Sequence, residues 1–235
     1  MQKVLARAVE DARSYAAGGM DAVIVENFGD LPFPKCDLPK SSIAALTLAV
    51  DAVQHAIKLP VGVNALRNDA MAALGIAAAT GAAFIRINVH AGVVATDQGI
   101  IEGDAAKTIR ERARLRCRVA IAADVAVKHG RTLHSTNIAD AAADLVLRAE
   151  ADAVIVTGPA TGRAVDQDDL RAVRAAIGRS RCLLAGSGVN TDSVREILEV
   201  ADGVIVGTAL KRGGRTRNPV DRARVKTFVR ESRRS

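Results

Sequence analysis

Short apolar segments alternate along this chain with longer segments of helical periodicity. The apolar segments are rich in Val, Ile and Ala, and the stretches between them repeat apolar residues at the three- and four-residue intervals of an amphipathic helix. This pattern predicts seven strands, at residues 21–25, 60–64, 84–89, 119–124, 152–156, 181–185 and 204–206. Repeated strand–helix units of this kind form a parallel sheet.

Nearly the same strand sequence occurs three times. Residues 21–25 and 152–156 both read Asp-Ala-Val-Ile-Val, and residues 202–206 read Asp-Gly-Val-Ile-Val.

A parallel sheet with intervening helices is either a closed barrel or a doubly wound sheet. A doubly wound sheet places a glycine-rich fingerprint after its first strand, but residues 26–30 read Glu-Asn-Phe-Gly-Asp. We therefore expect an α/β fold, namely a TIM-barrel-like (β/α)8 of parallel strands that spans residues 1–235 as a single domain.

The predicted strands are one fewer than the eight of such a barrel. The chain begins directly in a predicted helix, whose apolar face includes Val4, Leu5 and Ala8. The first strand of the barrel is therefore expected to be missing from this chain. Either the true start codon lies upstream of Met1, or the barrel is open at one seam, between the strands at Asp21 and Gly203.

Length and composition agree with a single α/β core. The chain has 235 residues, and aromatic residues make up only 2% of it, so Ala, Val, Ile and Leu must build the core. No apolar run is long enough to cross a bilayer and the N-terminus lacks a signal-peptide pattern, which predicts a cytoplasmic protein. Cys36, Cys117 and Cys182 fit neither a disulfide framework nor a zinc site, so reduced thiols are expected.

The net charge of +7 comes from the C-terminus. Residues 211–235 contain ten Lys or Arg and two acidic residues, an excess larger than the net charge of the whole chain. Val220, Val225, Phe228 and Val229 recur among these arginines as in a closing amphipathic helix whose Arg side chains face water. No aromatic stacking residues accompany the charge, so no specific nucleic-acid partner is expected, and peripheral contact with a membrane surface is the most that this segment predicts.

Two glycine-bearing turns near the C-terminus each follow a predicted strand. The first contains Gly186, Ser187 and Gly188, and the second contains Gly207 and Thr208. Glycine lets backbone amides approach an anion closely, and in parallel barrels the loops after the last two strands often hold a substrate phosphate. A helix predicted at residues 191–200 would add its N-terminal N–H groups. The two turns together predict a phosphate site, whereas either alone is better explained as a tight turn.

The other predicted strands end in polar side chains, at the edge where barrel enzymes place their chemistry. Alternation along residues 84–89 puts Arg86 and Asn88, together with His90, on the face opposite the apolar residues. A buried Arg needs an anionic partner, so Arg86 either pairs with an acid such as Glu26 or binds substrate. The full set of strand-end residues is Glu26, Asn27, Asp30, Asn64, Arg67, Arg86, Asn88, His90, Asp124, Lys128, His129 and Thr157.

Asp124 ends an apolar strand and is followed by Lys128 and His129. An Asp in this place serves as a general base or metal ligand, or else caps its own loop through backbone amides. The polar residues at neighbouring strand ends favour a functional role. Residues 91–104 are long for a crossover and are predicted to form a lid, in which Asp104 is interpreted as the residue that starts the next helix.

Over essentially its whole length the sequence resembles the BtpA family, also called BtpA/SgcQ. The resemblance rests on motifs that occur in the family's order: Gly18-Gly19-Met20-Asp21, Glu26-Asn27-Phe28-Gly29-Asp30, Gly62-Val63-Asn64, Arg86-Ile87-Asn88-Val89-His90, Thr96-Asp97-Gln98-Gly99, Ala123-Asp124-Val125, Thr157-Gly158, Gly186-Ser187-Gly188 and Gly207-Thr208-Ala209-Leu210-Lys211. The resemblance implies a TIM-barrel-like fold. The family takes its name from a factor for photosystem I biogenesis, which is associated with the membrane surface in cyanobacteria. The resemblance implies no reaction.

Two classes of function follow from these observations. The first is an isomerase-, epimerase- or lyase-like enzyme acting on a small phosphorylated metabolite. In it, Asp124 or Glu26 moves a proton, and Lys128 and Arg86 stabilise negative charge. The residues predicted to bind substrate are Asn27, Asp30, Asn64, Arg86, Asn88, His90, His129 and Thr157. The second is a non-catalytic assembly factor that works through partners. No cofactor is predicted, a divalent metal is allowed but not indicated, and a homo-oligomer is left open.

Overall fold

The computed structural model describes residues 1–126, 130–133, 137–158 and 165–234. Its helices are α1 (Gln2–Gly18), α2 (Lys40–Ala56), α3 (Ala70–Thr80), α4 (Ala105–Arg114), α5 (Ile138–Leu147), α6 (Gln167–Ile177), α7 (Val194–Leu198) and α8 (Arg222–Ser232). Its strands are β1 (Val23–Glu26), β2 (Val61–Asn64), β3 (Phe84–Ile87), β4 (Val93–Thr96), β5 (Gly99–Glu102), β6 (Ala120–Ala126), β7 (Gly130–Thr132), β8 (Ala153–Thr157), β9 (Cys182–Gly186) and β10 (Gly203–Ile205). None of the described helices is long and apolar enough to cross a membrane.

The seven predicted strands form one parallel sheet, in the order β1-β2-β3-β6-β8-β9-β10. Their bounds differ from the predicted ones by one or two residues at most ends. The sheet curls into a half-barrel, and its edge strands β1 and β10 do not pair with each other in the described part of the chain. The α/β, TIM-barrel-like class is thereby confirmed, with the sheet open at the seam between β1 and β10.

Alternation along each strand separates a helix-covered face from a polar face. On β3, Ile85 and Ile87 are buried under the helices with the neighbouring Ile121, whereas Arg86 lies on the opposite face. Aliphatic side chains dominate both large core clusters, as the composition predicts. Because all seven strands run the same way, their carboxyl ends lie at one edge of the sheet and bring distant residues together there.

The predicted lid at residues 91–104 has a structure of its own. Strands β4 and β5 form an antiparallel hairpin, and β7 adds to β4 to make a separate three-stranded sheet. These three strands were not predicted from the sequence. Asp104 starts α4 as predicted, since its carboxylate accepts a hydrogen bond from the Lys107 amide at 3.0 Å.

Helix α8 confirms the predicted closing amphipathic helix. Val225, Phe228 and Val229 are buried, while Arg230 and Arg234 lie on the surface near Glu231. Glu231 therefore balances part of the positive charge at the C-terminus.

The contact between α1 and α8 depends on Gly18. A β-carbon at Gly18 would overlap Val225 Cγ1 and lie 2.6 Å from Val225 Cβ. We expect Gly18→Ala to lower the free energy of unfolding by about 1–3 kcal/mol through overpacking. The control is Gly75→Ala in α3, where a β-carbon meets nothing within 4 Å. It should raise stability by roughly 0.5–1 kcal/mol, because alanine loses less entropy than glycine on helix formation. Equal urea midpoints for the two variants would contradict this packing argument.

Candidate active site

A cavity of about 400 Å³ lies at the carboxyl ends of β1, β2 and β3. One part of its wall is polar and the other is apolar. Its lining residues are Glu26, Phe28, Leu31, Phe33, Asn64, Leu66, Arg67, Arg86, Asn88, Asp97 and Gln98. The volume lies in the roughly 300–1,000 Å³ range of small-molecule sites. The predicted residues Glu26, Asn64, Arg86 and Asn88 are thus brought together, although they are up to 62 positions apart.

Arg86 lies at the inner end of this cavity in a buried ion pair. Its Nε and Nη2 each donate to one oxygen of Asp124, both at 3.0 Å, and the Asp124 side chain has no exposed surface. Burial acts to lower the pKa of Arg86, but the charges of Asp124 and Glu26 outweigh it and the pKa is raised. The predicted pairing of Arg86 with an acid is confirmed, and its main partner is Asp124.

This geometry bears on the role of Asp124. Besides its two bonds from Arg86, the carboxylate accepts a hydrogen bond from Asn88 Nδ2 at 2.8 Å. Asp124 also does not line the cavity. A general base must reach the proton that it removes. The arrangement therefore favours Asp124 as the counter-ion that holds Arg86 in place, rather than as the base.

Glu26 is the carboxylate that lines the cavity beside Arg86. Its Oε1 accepts a hydrogen bond from Asn64 Nδ2 at 3.1 Å and lies 3.8 Å from Arg86 Nη1. The Glu26 side chain is 27% exposed, so it is held from one side and accessible from the cavity. Such a carboxylate can accept a proton from a bound molecule, and the neighbouring arginine can stabilise the negative charge that develops.

Two amide oxygens at the cavity have no hydrogen-bond partner among the described residues. They are Asn88 Oδ1, on a residue 3% exposed, and Gln98 Oε1, on the turn between β4 and β5. Buried acceptors are normally satisfied. Both residues line the cavity, and their side chains would have to turn toward a ligand for these oxygens to accept from its hydroxyl or N–H groups.

Arg67 adds a second cation to the cavity wall. It is 5% exposed, and burial lowers its pKa although the negative charges of Asp124 and Asp97 oppose this effect. The sequence placed Arg67 shortly after the predicted strand at residues 60–64, but it gave no role for this side chain. The hairpin brings Asp97 to the same cavity, so the predicted lid contributes lining residues.

Four apolar lining residues were missed by the sequence analysis: Phe28, Leu31, Phe33 and Leu66. Three of them lie in the loop after β1, where a run of apolar side chains outside any strand was the available signal. Phe28 and Phe33 contact each other, with ring centroids 6.1 Å apart and planes inclined at 58°. Leu31 is 52% exposed at the mouth of the cavity.

The two glycine turns lie on neighbouring strands at the same edge of the sheet. Gly186 ends β9, pairs in register with Thr157 of β8 and with Ile205 of β10, and lies close to Arg86. A β-carbon on Gly186 would be 3.1 Å from Ile155 and 3.7 Å from Arg86 Nη2. Ser187 and Gly188 follow with φ of 71° and 67°. The first turn therefore adjoins the cavity's inner end.

The sequence predicted that a helix at residues 191–200 would add its N-terminal N–H groups to the phosphate site. This prediction is wrong. Helix α7 begins only at Val194, and the Asn190 carboxamide oxygen accepts hydrogen bonds from the amides of Asp192 and Ser193 at 2.9 and 3.0 Å. These amides are used within their own turn. At the second glycine turn, Thr208 begins a short 3₁₀ helix and its hydroxyl lies 3.0 Å from that of Thr216.

The remaining predicted residues have other surroundings. Asn27 accepts from the Leu66 amide at 2.8 Å and donates to Asp30 at 3.4 Å, so it fixes the loop after β1. His90 is buried with Nε2 2.9 Å from the Ala149 carbonyl, and burial lowers its pKa. It does not line the cavity, because β3 ends at Ile87 and strand alternation stops there. The predicted residues Lys128 and His129 lie outside the described residues.

No group of three or more His, Cys, Asp or Glu side chains in the described parts of the chain is placed to hold a metal ion. Among the charged lining residues, Glu26 and Arg86 form an ion pair.

The family resemblance is confirmed by comparison with known proteins. The BtpA family model matches residues 1–234. The chain is 46% identical over 227 residues to the photosystem I biogenesis protein BtpA of Synechocystis sp., covering 96% of this chain and 78% of that protein. It is 31% identical over 230 residues to the sgc region protein SgcQ of Escherichia coli K12, covering 97% of this chain and 84% of that one.

Solved structures share the fold at low sequence identity. Phosphoribosylanthranilate isomerase of Thermotoga maritima aligns with a TM-score of 0.63 and 14% identity over 95% of this chain and 93% of that one. Orotidine 5′-phosphate decarboxylase of Pyrococcus horikoshii aligns with a TM-score of 0.64 and 16% identity, over 98% and 95% of the two chains. These likenesses establish the TIM-barrel-like fold.

Proposed function

The chain belongs to the BtpA family, and from this premise we propose that it is an enzyme that acts on a small phosphorylated metabolite, as an isomerase, epimerase or lyase. The observation that carries the proposal is the group of Glu26, Arg86 and Asn88 beside the Gly186 turn, at the carboxyl edge of the sheet. A purely structural protein would have no need for polar side chains held in this arrangement around a cavity.

Phosphate binding is supported by the position of the two glycine turns. They follow β9 and β10, the last two strands, which is where parallel barrels commonly hold a substrate phosphate. The names of the solved neighbours also denote enzymes of phosphorylated compounds. A phosphate at Gly186, Ser187 and Gly188 would place the rest of the metabolite over Arg86 and toward the cavity.

Proton transfer is assigned to Glu26. Its carboxylate would remove a proton from a carbon next to a carbonyl group, and the electron pair would move onto the carbonyl oxygen to form an enolate. Arg86 and Arg67 would stabilise that negative charge. Asn64 holds the carboxylate at Oε1, and Asn88 Oδ1 accepts from a substrate hydroxyl. If the deprotonated carbon bears a hydroxyl group, the intermediate is an enediolate: transfer of the hydroxyl proton to the former carbonyl oxygen and return of the carbon-bound proton to the former carbonyl carbon complete an isomerisation. Return of the proton to the opposite face of the same carbon gives an epimer instead.

A second candidate function is that of an assembly factor for a membrane complex. It is favoured by the name of the Synechocystis relative, which is 46% identical to this chain. The two candidates differ in what the cavity must do. An assembly factor with an idle cavity would tolerate Glu26→Gln in a complementation test, whereas an enzyme would not.

Phosphate binding is tested by Gly188→Asp. We expect inorganic phosphate or ribose 5-phosphate to raise the Tm of the wild-type protein, and this shift to be abolished in the variant because a carboxylate would repel the anion. The control is Gly178→Asp, since Gly178 has φ 70° against 67° for Gly188 but precedes β9, at the opposite end of the sheet. Both variants therefore introduce the same charge at a glycine with positive φ. A phosphate-induced shift that persists in Gly188→Asp would place the anion elsewhere.

A further inference from the structure

The apolar wall of the cavity has no role in the binding of a simple sugar phosphate. Phe28, Leu31 and Phe33 contribute to this wall from the loop after β1, whereas Glu26, Asn64 and Arg86 are carried by the sheet. A polyhydroxyl ligand would satisfy the polar side and leave the phenyl rings against water. The cavity therefore fits a molecule with two parts of different polarity.

Hydrogen-bond acceptors limit what the apolar part can be. Gln98 Oε1 is a buried acceptor without a partner among the described residues, and Gln98 lines the same cavity as Phe28 and Phe33. An alkyl chain would leave this oxygen unsatisfied, at a cost. A planar heteroaromatic ring has an apolar face for the phenyl wall and N–H donors at its edge for an amide oxygen.

The geometry of the two phenyl rings indicates how such a ring would pack. Their centroids are 6.1 Å apart at an interplanar angle of 58°, so the two rings already contact each other in a tilted arrangement. A flat ligand has no room between them and would stack on one exposed face. The mutual contact restrains both rings before binding, which lowers the entropy lost when a third ring is added.

We propose that the cavity binds a heteroaromatic ring joined to a ribose phosphate, with the ring on the Phe28–Phe33 wall, the ribose over Asn88 and Arg86, and the phosphate at the Gly186–Gly188 turn. This inference rests on the proposed phosphate site and adds the substrate class. The ligand class is that of aromatic N-ribosyl phosphates. Nucleoside 5′-monophosphates are stable analogues of such a ligand, because their closed ribose has no carbonyl group for the proposed proton transfer. The ribose phosphate of such a ligand would contact the charged side chains of the cavity. Its ring would contact the apolar wall, which a simple sugar phosphate leaves without a partner.

The test compares adenosine and uridine 5′-monophosphates with ribose 5-phosphate by isothermal titration calorimetry. We expect the better nucleotide to bind roughly 5- to 150-fold more tightly than ribose 5-phosphate, the range that stacking of one base contributes. Phe28→Leu should remove most of this ratio while ribose 5-phosphate binds as before, because leucine keeps the volume apolar but has no aromatic face.

The control for this variant is Phe84→Leu. Phe84 starts β3 at the opposite edge of the sheet, packs over Gly62 and does not line the cavity, so this substitution should leave the ratio unchanged. Equal affinities for nucleotides and ribose 5-phosphate, in wild type and variant alike, would overturn the inference and leave the proposed phosphate site standing. If none of the three compounds binds and Gly188→Asp behaves as wild type, the proposed function itself fails and the inference with it.

Discussion

Asp124→Asn is expected to destabilise the protein by about 3–5 kcal/mol, since breaking a buried ion pair from one side leaves the other charge uncompensated. Arg86 is 5% exposed and directs two N–H groups at the two Asp124 oxygens. Asparagine supplies one oxygen, and its NH2 group would face a donor. The loss is large against the roughly 5–15 kcal/mol total stability of a folded domain. Urea unfolding measures it, as a lower midpoint at unchanged slope.

The matched control is Asp21→Asn, the same substitution in an exposed pair. Asp21 lies 3.2 Å from Arg233, but its side chain is 95% exposed, so the change should cost less than about 1 kcal/mol. The double variant Arg86→Met/Asp124→Leu should recover much of the loss, because it removes both buried charges together. If Asp124→Asn is as stable as Asp21→Asn and loses only turnover, Asp124 acts in catalysis and the assignment of the base to Glu26 is wrong.

Glu26→Gln is expected to lower turnover by roughly 10²- to 10⁴-fold, the contribution typical of a general acid or base. The fold and ligand binding should persist, because glutamine keeps an oxygen to accept the hydrogen bond from Asn64 Nδ2. The substrate must first be identified, by native mass spectrometry of the purified protein together with the metabolites that it retains. Turnover is then followed in D2O by NMR, as deuterium incorporation at the carbon that loses its proton.

The control for this variant is Glu111→Gln on α4. Both glutamate side chains are 27% exposed and contact an arginine, but Glu111 pairs with Arg114 of its own helix and does not line the cavity. Unchanged deuterium incorporation in Glu26→Gln would exclude Glu26 as the proton-transfer group. Normal complementation by this variant, together with no exchange in the wild type, would favour the assembly factor.

The strands and their common edge were predictable from the sequence, for a local reason. Apolar runs and alternating apolar residues indicate directly which residues of a strand are buried. All seven strands of the parallel sheet could therefore be located from the sequence, namely β1, β2, β3, β6, β8, β9 and β10. The parallel direction follows from the intervening helices, and it places Glu26, Asn64, Arg86 and Asn88 at one edge without any knowledge of side-chain positions. The amphipathic end of the chain likewise predicted α8.

Pairing between strands could not be predicted in the same way. Whether Asp124 acts as a base or as a counter-ion depends on which side chain faces it across the sheet, and this is set by the register Ile87↔Ala123 and by a β-bulge after Asp124. The direction of the His90 side chain was also not predictable from the sequence. Alternation sets the direction of a side chain only within a strand, and β3 ends at Ile87. The start of α7 also escaped prediction, since the Asn190 turn competes locally with helix formation.

The sequence by itself determined the fold class, the family and the set of polar strand ends, because each is written in local patterns or contiguous motifs. Only the tertiary structure decided which of these residues share the cavity, that Glu26 rather than Asp124 is accessible from it, and that Phe28 and Phe33 form its apolar wall. The physical reason is that side-chain contacts in a sheet are made between residues far apart in the chain. Their geometry depends on register and loop path, for which no short sequence pattern exists.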